Sequence, residues 1–502
     1  MNRWLSECRP WWVCAFVFVA LGCGVLPYPG VQTDEALSGA AYFQQTGSVE
    51  TFRAFGHDVP TMAMSYLGSL KTWVYALVFS WSAPSVWAIR LPMLVVGAAA
   101  IVLFARFMEG VYGRAAAWVA TALLATDASL VLTTTFDWGP VALQHLLQIA
   151  AAYFLWRFHR EDRWWMLALA AFVAGLALWN KAIFAWTLMG AGTALLLVFP
   201  RELWRRVTVR NVVLAAVFFA GGASMLIRYN VRHEGSTWRS NANLAFKNIQ
   251  DKHIHVRAML DGSSVFGFMI AEDNFATTRF TYGAWVMAAA ALAALLARQR
   301  AALFPLLAAG FTWLAMTVTA DGGGSVHHAI LLYPFGHWLL AAVVAMALQR
   351  RVASVTVAVV AALLVADNVR VMGVYRDNAI RLGGRGDWTD AIYPLVERVR
   401  ARHPKEVRMY DWGLQDNFIL LSGRAWSISY PQRPFTEKAF TEAPGALWLG
   451  RVENRIAGIN DELYAAAAKY GYERVVMERV ADRRGVPALE AFEFRKREPG
   501  AP

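Results

Sequence analysis

Two carboxylates, Asp34 and Glu35, stand side by side a few residues after the first apolar run of the chain, and a third, Asp137, stands beside a later run. Lys71 and Lys181 are placed in the same way. A carboxylate can take the proton of a hydroxyl as it attacks a carbon, and a lysine can neutralise a departing phosphate. Such residues could move a group from a phosphate ester to an alcohol, provided that one surface holds them all. Each also has a plainer reading. Asp34 and Glu35 read as solvated loop acids, Asp137 as the cap of a helix beginning near Pro140, Lys71 and Lys181 as snorkelling lysines, and Arg90 as an interface anchor. The elements that position them decide between the two readings.

Of the 502 residues, 57% are hydrophobic and only 17% charged, which excludes an ordinary soluble protein and predicts a polytopic α-helical membrane protein. Trp11-Trp12, Trp164-Trp165 and Trp204 fall near the ends of apolar runs, where interfacial belts form. The net charge of +12 does not point to nucleic acid, because the arginines cluster in short loops between apolar runs. Cys8, Cys14 and Cys23 all lie in or before the first run, offer no disulfide framework and read as small packing residues. That run reads as a retained helix rather than a cleaved leader.

Further apolar stretches fall at 66–82, 88–107, 115–134, 139–156, 164–180, 182–199, 211–227, 282–297, 303–320, 328–348 and 352–369. Basic residues crowd 106–114, 157–163, 201–210, 298–300 and 350–351, whereas the alternate loops at Asp137, Lys181 and Asp321 hold almost none. Arginine-rich short loops face the cytoplasm. Arg3 and Arg9 put the N-terminus there too, so 66–82 does not cross and reads as an interfacial or re-entrant helix. About eleven spans remain by this count. Asp34, Glu35, Lys71, Asp137, Lys181, Asp321, His327 and His328 then share the outer surface. The expected organisation is a membrane-spanning catalytic domain over residues 1–370, with outer loops at 28–87 and 228–281, and an extracytoplasmic α/β domain over 371–502.

Five motifs recur in an order that resembles a known group: Asp34-Glu35 after the first span, Ser69-Leu70-Lys71, Arg90-Leu91-Pro92, Thr135-Phe136-Asp137-Trp138-Gly139-Pro140, and Gly175 to Lys181 ending in Trp179-Asn180-Lys181. The first 200 residues so resemble the type C (GT-C) glycosyltransferases of family 39, the group of protein O-mannosyltransferases and lipid A aminoarabinose transferases. The stretch from His327-His328 to Tyr333-Pro334 resembles a less distinctive family feature. The resemblance implies a catalytic base at Asp34 with Glu35 beside it, Asp137 facing them to orient donor or acceptor, and Lys71 against the lipid phosphate. Lys181, Arg90 and His328 are candidates for support. The chain departs from the family pattern in having Thr72-Trp73 after Lys71 and Thr135 where an arginine is usual, which makes Arg53, His57 and His327 candidate phosphate partners. His57-Asp58 and His327-His328 lack compact metal-ligand spacing, so no metal or other cofactor is expected, a divalent ion being the less favoured alternative. Gly322-Gly323-Gly324 is not followed by the Lys-Ser or Lys-Thr of a phosphate loop.

These readings lead to an expected inverting transfer of a sugar from a polyprenyl phosphate, undecaprenyl phosphate in a bacterium, to a hydroxyl of a lipid, glycan or protein outside the cytoplasmic membrane. The rival from another class is a membrane transporter or lipid flippase, which would more naturally show paired repeats and broken helices at mid-membrane. A third alternative is an inactive glycan-binding scaffold.

Overall fold

The computed structural model describes residues 10–43, 50–54, 56–262, 267–270, 281–320, 322–349, 351–453 and 455–497. Arg3, Arg9, Asp321 and Arg350, on which the expected topology rests, lie outside these residues, as does Cys8. Among the described residues, Val86–Tyr112, Arg300–Thr317, Val326–Ala347 and Ser354–Leu382 are long and apolar enough to cross a membrane, and three bent helix pairs raise the number from four to seven. The apolar runs suggested about eleven. The difference lies in helices such as Pro10–Val25, whose 16 residues fall short of the roughly 20 of a straight span. Another is Val141–Glu161, whose buried face carries Gln144, His145 and Gln148.

The first connection contains the helix Thr33–Tyr42, an antiparallel sheet of β1 (Glu50–Ala54), β2 (His57–Met64) and β3 (Leu67–Gly68), and the helix Leu70–Phe79. The ten residues of Leu70–Phe79 extend about 15 Å at 1.5 Å per residue, half of a hydrocarbon core. The run 115–134 is two helices, Arg114–Thr126 and Ala128–Thr135, bent by 54°. The break has a cause in Asp127, whose carboxylate accepts from Leu130 N at 3.0 Å and so caps a new helix inside the apolar run. Its other oxygen accepts from the Tyr333 hydroxyl at 2.9 Å.

The second connection was expected to begin at Arg228, but the helix Ser224–Arg232 carries on past that point. Beyond it, the helix Ile249–Leu260 is fastened to the bundle by Lys252, which donates to the carbonyls of Thr317 at 3.2 Å and Thr319 at 2.6 Å. The boundary expected between residues 370 and 371 falls inside one continuous helix, Arg351–Leu382. Polar residues appear after 370, which reads as the end of the span, yet Val371, Met372, Tyr375 and Ala379 remain buried at helical spacing.

Past Leu382 the chain builds a five-stranded sheet in the order β5-β4-β6-β8-β7, from β4 (Glu406–Met409), β5 (Ser427–Ser429), β6 (Leu447–Arg451), β7 (Tyr472–Ala481) and β8 (Pro487–Lys496). β5, β4 and β6 are parallel, and β8 and β7 are antiparallel additions. The helix Ile392–Arg402 buries Ile392, Leu395, Val396 and Val399, an i, i+3, i+4, i+7 stripe, in the core formed with Val407, Leu447 and Leu489. Ile459 and Leu463 of a second helix bury against Trp448 and Phe492.

This unit is sewn to the first connection. Asn417 Nδ2 donates to Val31 O at 3.0 Å, the Thr33 hydroxyl to Asp416 at 3.3 Å, and Gly30 N to Trp388 O at 2.9 Å. Gly30 has no room for a side chain, since a Cβ there would stand 2.2 Å from Thr389 O.

Candidate active site

The two adjacent acids lead different lives. Gln32 caps the helix Thr33–Tyr42, its Oε1 accepting from Asp34 N at 2.7 Å and Glu35 N at 3.1 Å. Its Nε2 donates to Asp34 Oδ2 at 3.1 Å, which fixes the carboxylate. Asp34 is partly exposed and has no ion pair among the described residues. Burial pushes its carboxyl above the usual range, the Gln32 amide pulls it back, Asp387 raises it further, and Lys181 and Arg455 lower it. A carboxylate raised in this way holds a proton more readily than an ordinary aspartate, which suits a base.

Glu35 was expected to share the catalytic role, and the structure gives it another. It is 1% exposed and grips Arg90 with both oxygens, at 2.6 Å and 2.8 Å. Arg90 also donates to the carbonyls of Leu26, Pro29 and Gly30, at 2.7, 2.9 and 3.1 Å. The pair therefore pins the first connection to the helix Val86–Tyr112, and Arg90 is a buried tie rather than an interface anchor. Glu35 has no spare oxygen facing solvent with which to take a proton.

Asp137 and Lys71 are bound to one another. Lys71 Nζ lies 3.1 Å from Asp137 Oδ2 and 2.6 Å from its carbonyl, and both side chains are 1% exposed. Asp137 Oδ1 accepts from Ala142 N at 2.9 Å, so the residue also caps the following helix. The capping and the charged readings hold together.

Lys181 is completely buried, yet no carboxylate lies within ion-pair distance of it among the described residues. Its Nζ donates to Gly139 O at 3.0 Å and His327 O at 3.1 Å. Gly139 permits this approach, because a Cβ there would meet Lys181 Nζ at 3.2 Å and the His327 ring at 3.3 Å. Burial lowers the ammonium to about 7, against the pull of Asp137 and Asp34. His327 Nδ1 accepts from the Trp138 indole at 3.1 Å, which leaves its ring proton on Nε2. His328 turns its ring toward Trp186 instead.

Arg53 and His57, the other expected phosphate partners, are exposed near the turn of the β1–β2 hairpin, where they pair in register with Asp58 and Ala54. Among the described residues no ion pair joins either of them to Asp34, Asp137, Lys71 or Lys181. Among the described residues no three His, Cys, Asp or Glu side chains gather in a metal-holding group. The site also contains residues that sequence reasoning missed. Gln32 was one of them, and Asp387 and Arg455 bear on Asp34 from beyond the last long helix.

Residues 69–227 match the family model described as dolichyl-phosphate-mannose-protein mannosyltransferase. No curated protein matches the chain. The crystal structure of ArnT from Cupriavidus metallidurans bound to undecaprenyl phosphate aligns with a TM-score of 0.61 at 13% identity, over 95% of this chain and 96% of that one. The chain has the fold of ArnT, a type C glycosyltransferase. The apo form of the same ArnT gives a TM-score of 0.57 at 13% identity, over 96% and 97% of the two chains. Lys71, Asp137 and Lys181 lie within the segment that the family model covers.

Proposed function

We propose that the protein transfers a sugar from a polyprenyl phosphate, undecaprenyl phosphate in a bacterium, to a hydroxyl acceptor at the outer face of the cytoplasmic membrane, with inversion. The observation that carries this reading is the partly exposed, unpaired Asp34 carboxylate set beside the buried, carboxylate-free Lys181. Asp34 takes the acceptor proton as the acceptor oxygen attacks the anomeric carbon. The bond from that carbon to the phosphate breaks, and its electron pair leaves with the phosphate. Lys181 meets that charge, and Lys71, already tied to Asp137, supports it. Direct attack without a sugar-enzyme bond inverts the configuration. The ArnT structure holds undecaprenyl phosphate, and the family model matched by 69–227 names a polyprenyl-phosphate donor, which supports the donor class. In this reading about eleven spans place the N-terminus in the cytoplasm and residues 371–502 outside, and no metal takes part.

The test is turnover of radiolabelled polyprenyl-phosphate sugars by the purified protein with membrane extract as acceptor source. Transfer is expected to vanish in Asp34→Asn with donor binding retained, and to persist in chelator. Unchanged transfer in Asp34→Asn, or vesicle transport of a lipid with no donor consumed, overturns the reading.

A further inference from the structure

The chain order of the C-terminal sheet creates a crevice that the transfer chemistry has not yet used. β4 is followed by a helix that leads to β5 on one side, and β6 lies on the other side of β4, also parallel to it. Loops leaving the carboxyl ends of β4 and β6 therefore diverge, and ligands of open α/β sheets bind in the gap so formed. Trp412 stands in the first loop, and Arg451 and Arg455 stand at the end of β6 and in the loop beyond it. Asp411 staples the two loops together, its carboxylate accepting from Trp412 N at 2.9 Å, Arg455 N at 2.9 Å and Ile456 N at 3.0 Å.

The chain that leaves the first loop is tied to the residues beside Asp34. Trp412 precedes by four and five residues Asp416 and Asn417, which bond Thr33 and Val31. Asp387 and Arg455 are among the charges that act on Asp34. Inside the crevice the charges are unequal. Asp387 is answered at 2.8 Å by the buried Arg451, and Arg455 Nε stands farther off at 3.4 Å. The Arg455 side chain is 56% exposed, and its terminal nitrogens bond no protein group among the described residues. Its guanidinium lies 5.7 Å from the centre of the Trp412 ring, which is itself 42% exposed. An exposed indole with a half-free guanidinium above it offers a flat apolar face and an anion-binding fork at one place.

We propose that the crevice between β4 and β6 is the acceptor subsite, taking a saccharide that carries an anionic group, with the sugar ring against Trp412 and a phosphate or carboxylate on Arg455. The assignment rests on Asp34 as the base, since the subsite then brings the acceptor hydroxyl to it, and it gives the C-terminal unit a share in choosing the substrate.

The test uses the full-length protein in phospholipid nanodiscs and saturation-transfer NMR with three probes: glucose 6-phosphate, methyl glucoside and glycerol 3-phosphate. The sugar phosphate is expected to bind, with saturation on its ring protons, and to bind more tightly than either the ring or the anion alone. Arg455→Gln should weaken it roughly tenfold or more, the worth of a charged hydrogen bond. Trp412→Ala should remove the ring-proton signal, and Trp412→Phe should restore it. Undecaprenyl phosphate binding, measured on the same samples, should be unchanged in all three variants. Dodecyl glucoside 6-phosphate, run beside the free sugar phosphate, separates a lipid-borne acceptor from a soluble one, and binding of either supports the subsite. Equal binding by all three simple probes, binding indifferent to both residues, or joint loss of undecaprenyl phosphate binding overturns it. Should the sugar phosphate bind as expected while Asp34→Asn leaves transfer untouched, the subsite stands and the assignment of the base fails.

Discussion

Replacing Asp34 and Glu35 one at a time separates catalysis from architecture in a way that few adjacent residues allow. Glu35→Gln leaves Arg90 buried with its three carbonyl acceptors and no counter-charge, and breaking a buried pair from one side costs about 3–5 kcal/mol. At an unfolding entropy of ~2.1 cal/mol/K per residue, the 502-residue chain loses about 1 °C of melting temperature per kcal/mol if it unfolds as one unit. Glu35→Gln is thus expected to melt ~3–5 °C lower, and to retain transfer wherever it remains folded. Asp34→Asn keeps the shape of the side chain and relieves a carboxylate of its burial cost, so its melting temperature should stay level or rise. Its turnover should fall by a factor on the order of 10²–10⁴, the range for a general base. The assay pairs thermal melting of the purified protein with initial rates at 20 °C below the lower midpoint. A Glu35→Gln enzyme that is thermally intact yet inactive, or an active Asp34→Asn enzyme, would refute the division of labour argued from Arg90 and Gln32.

Three further outcomes follow from the charges around the site. Asp387 raises the Asp34 carboxyl, so Asp387→Asn should lower it and move the acidic limb of the kcat/KM profile to lower pH; an unmoved or upward-shifted limb speaks against the coupling. The Lys181 ammonium, lowered to about 7, is lost as pH rises through that value. Donor affinity is therefore expected to weaken above it, by at most about tenfold per unit, and Lys181→Arg, which keeps its charge, should flatten the curve measured by undecaprenyl phosphate titration. Lys71→Met strands Asp137, with both side chains at 1% exposure, and should cost ~3–5 kcal/mol; Asp137→Asn added to it should recover part of the lost melting temperature.

What could be read from the sequence was the presence of charge at the ends of apolar runs, because a charge there needs a partner, an interface or a task. Asp34, Lys71, Asp137 and Lys181 were found in that way. The difference between Asp34 and Glu35 was hidden, since neighbours on a helix point about 100° apart and only the placement of Arg90 tells which one faces inward. Arg53 and His57 were chosen for their chemistry and nearness along the chain. The hairpin register, which sends them outward, depends on the pairing of β1 with β2 rather than on composition. Asp127 lay in plain view inside an apolar run, where an aspartate followed by Ala-Ser marks a cap more readily than a span. The crevice at Trp412 and Arg455 depends on the spatial order of strands, which no local pattern records. The helix that runs on through residues 370 and 371 was hidden because a helix can lose its apolar surround and keep its apolar stripe.

The bonds from Asn417 to Val31 and from Asp416 to Thr33 join residues 386 and 383 positions apart. They also set an order of events during synthesis. When Asp34 leaves the ribosome, the chain that will hold its helix in place has not been made, and at roughly 5–20 residues per second its arrival takes on the order of 20 s or more. Through that interval the membrane helices can insert and pack while the acid lacks its final support. Completion of the site thus coincides with the last quarter of translation, so that a chain cut short after Leu382 would carry Lys71, Asp137 and Lys181 and still lack the clasp that sets Asp34.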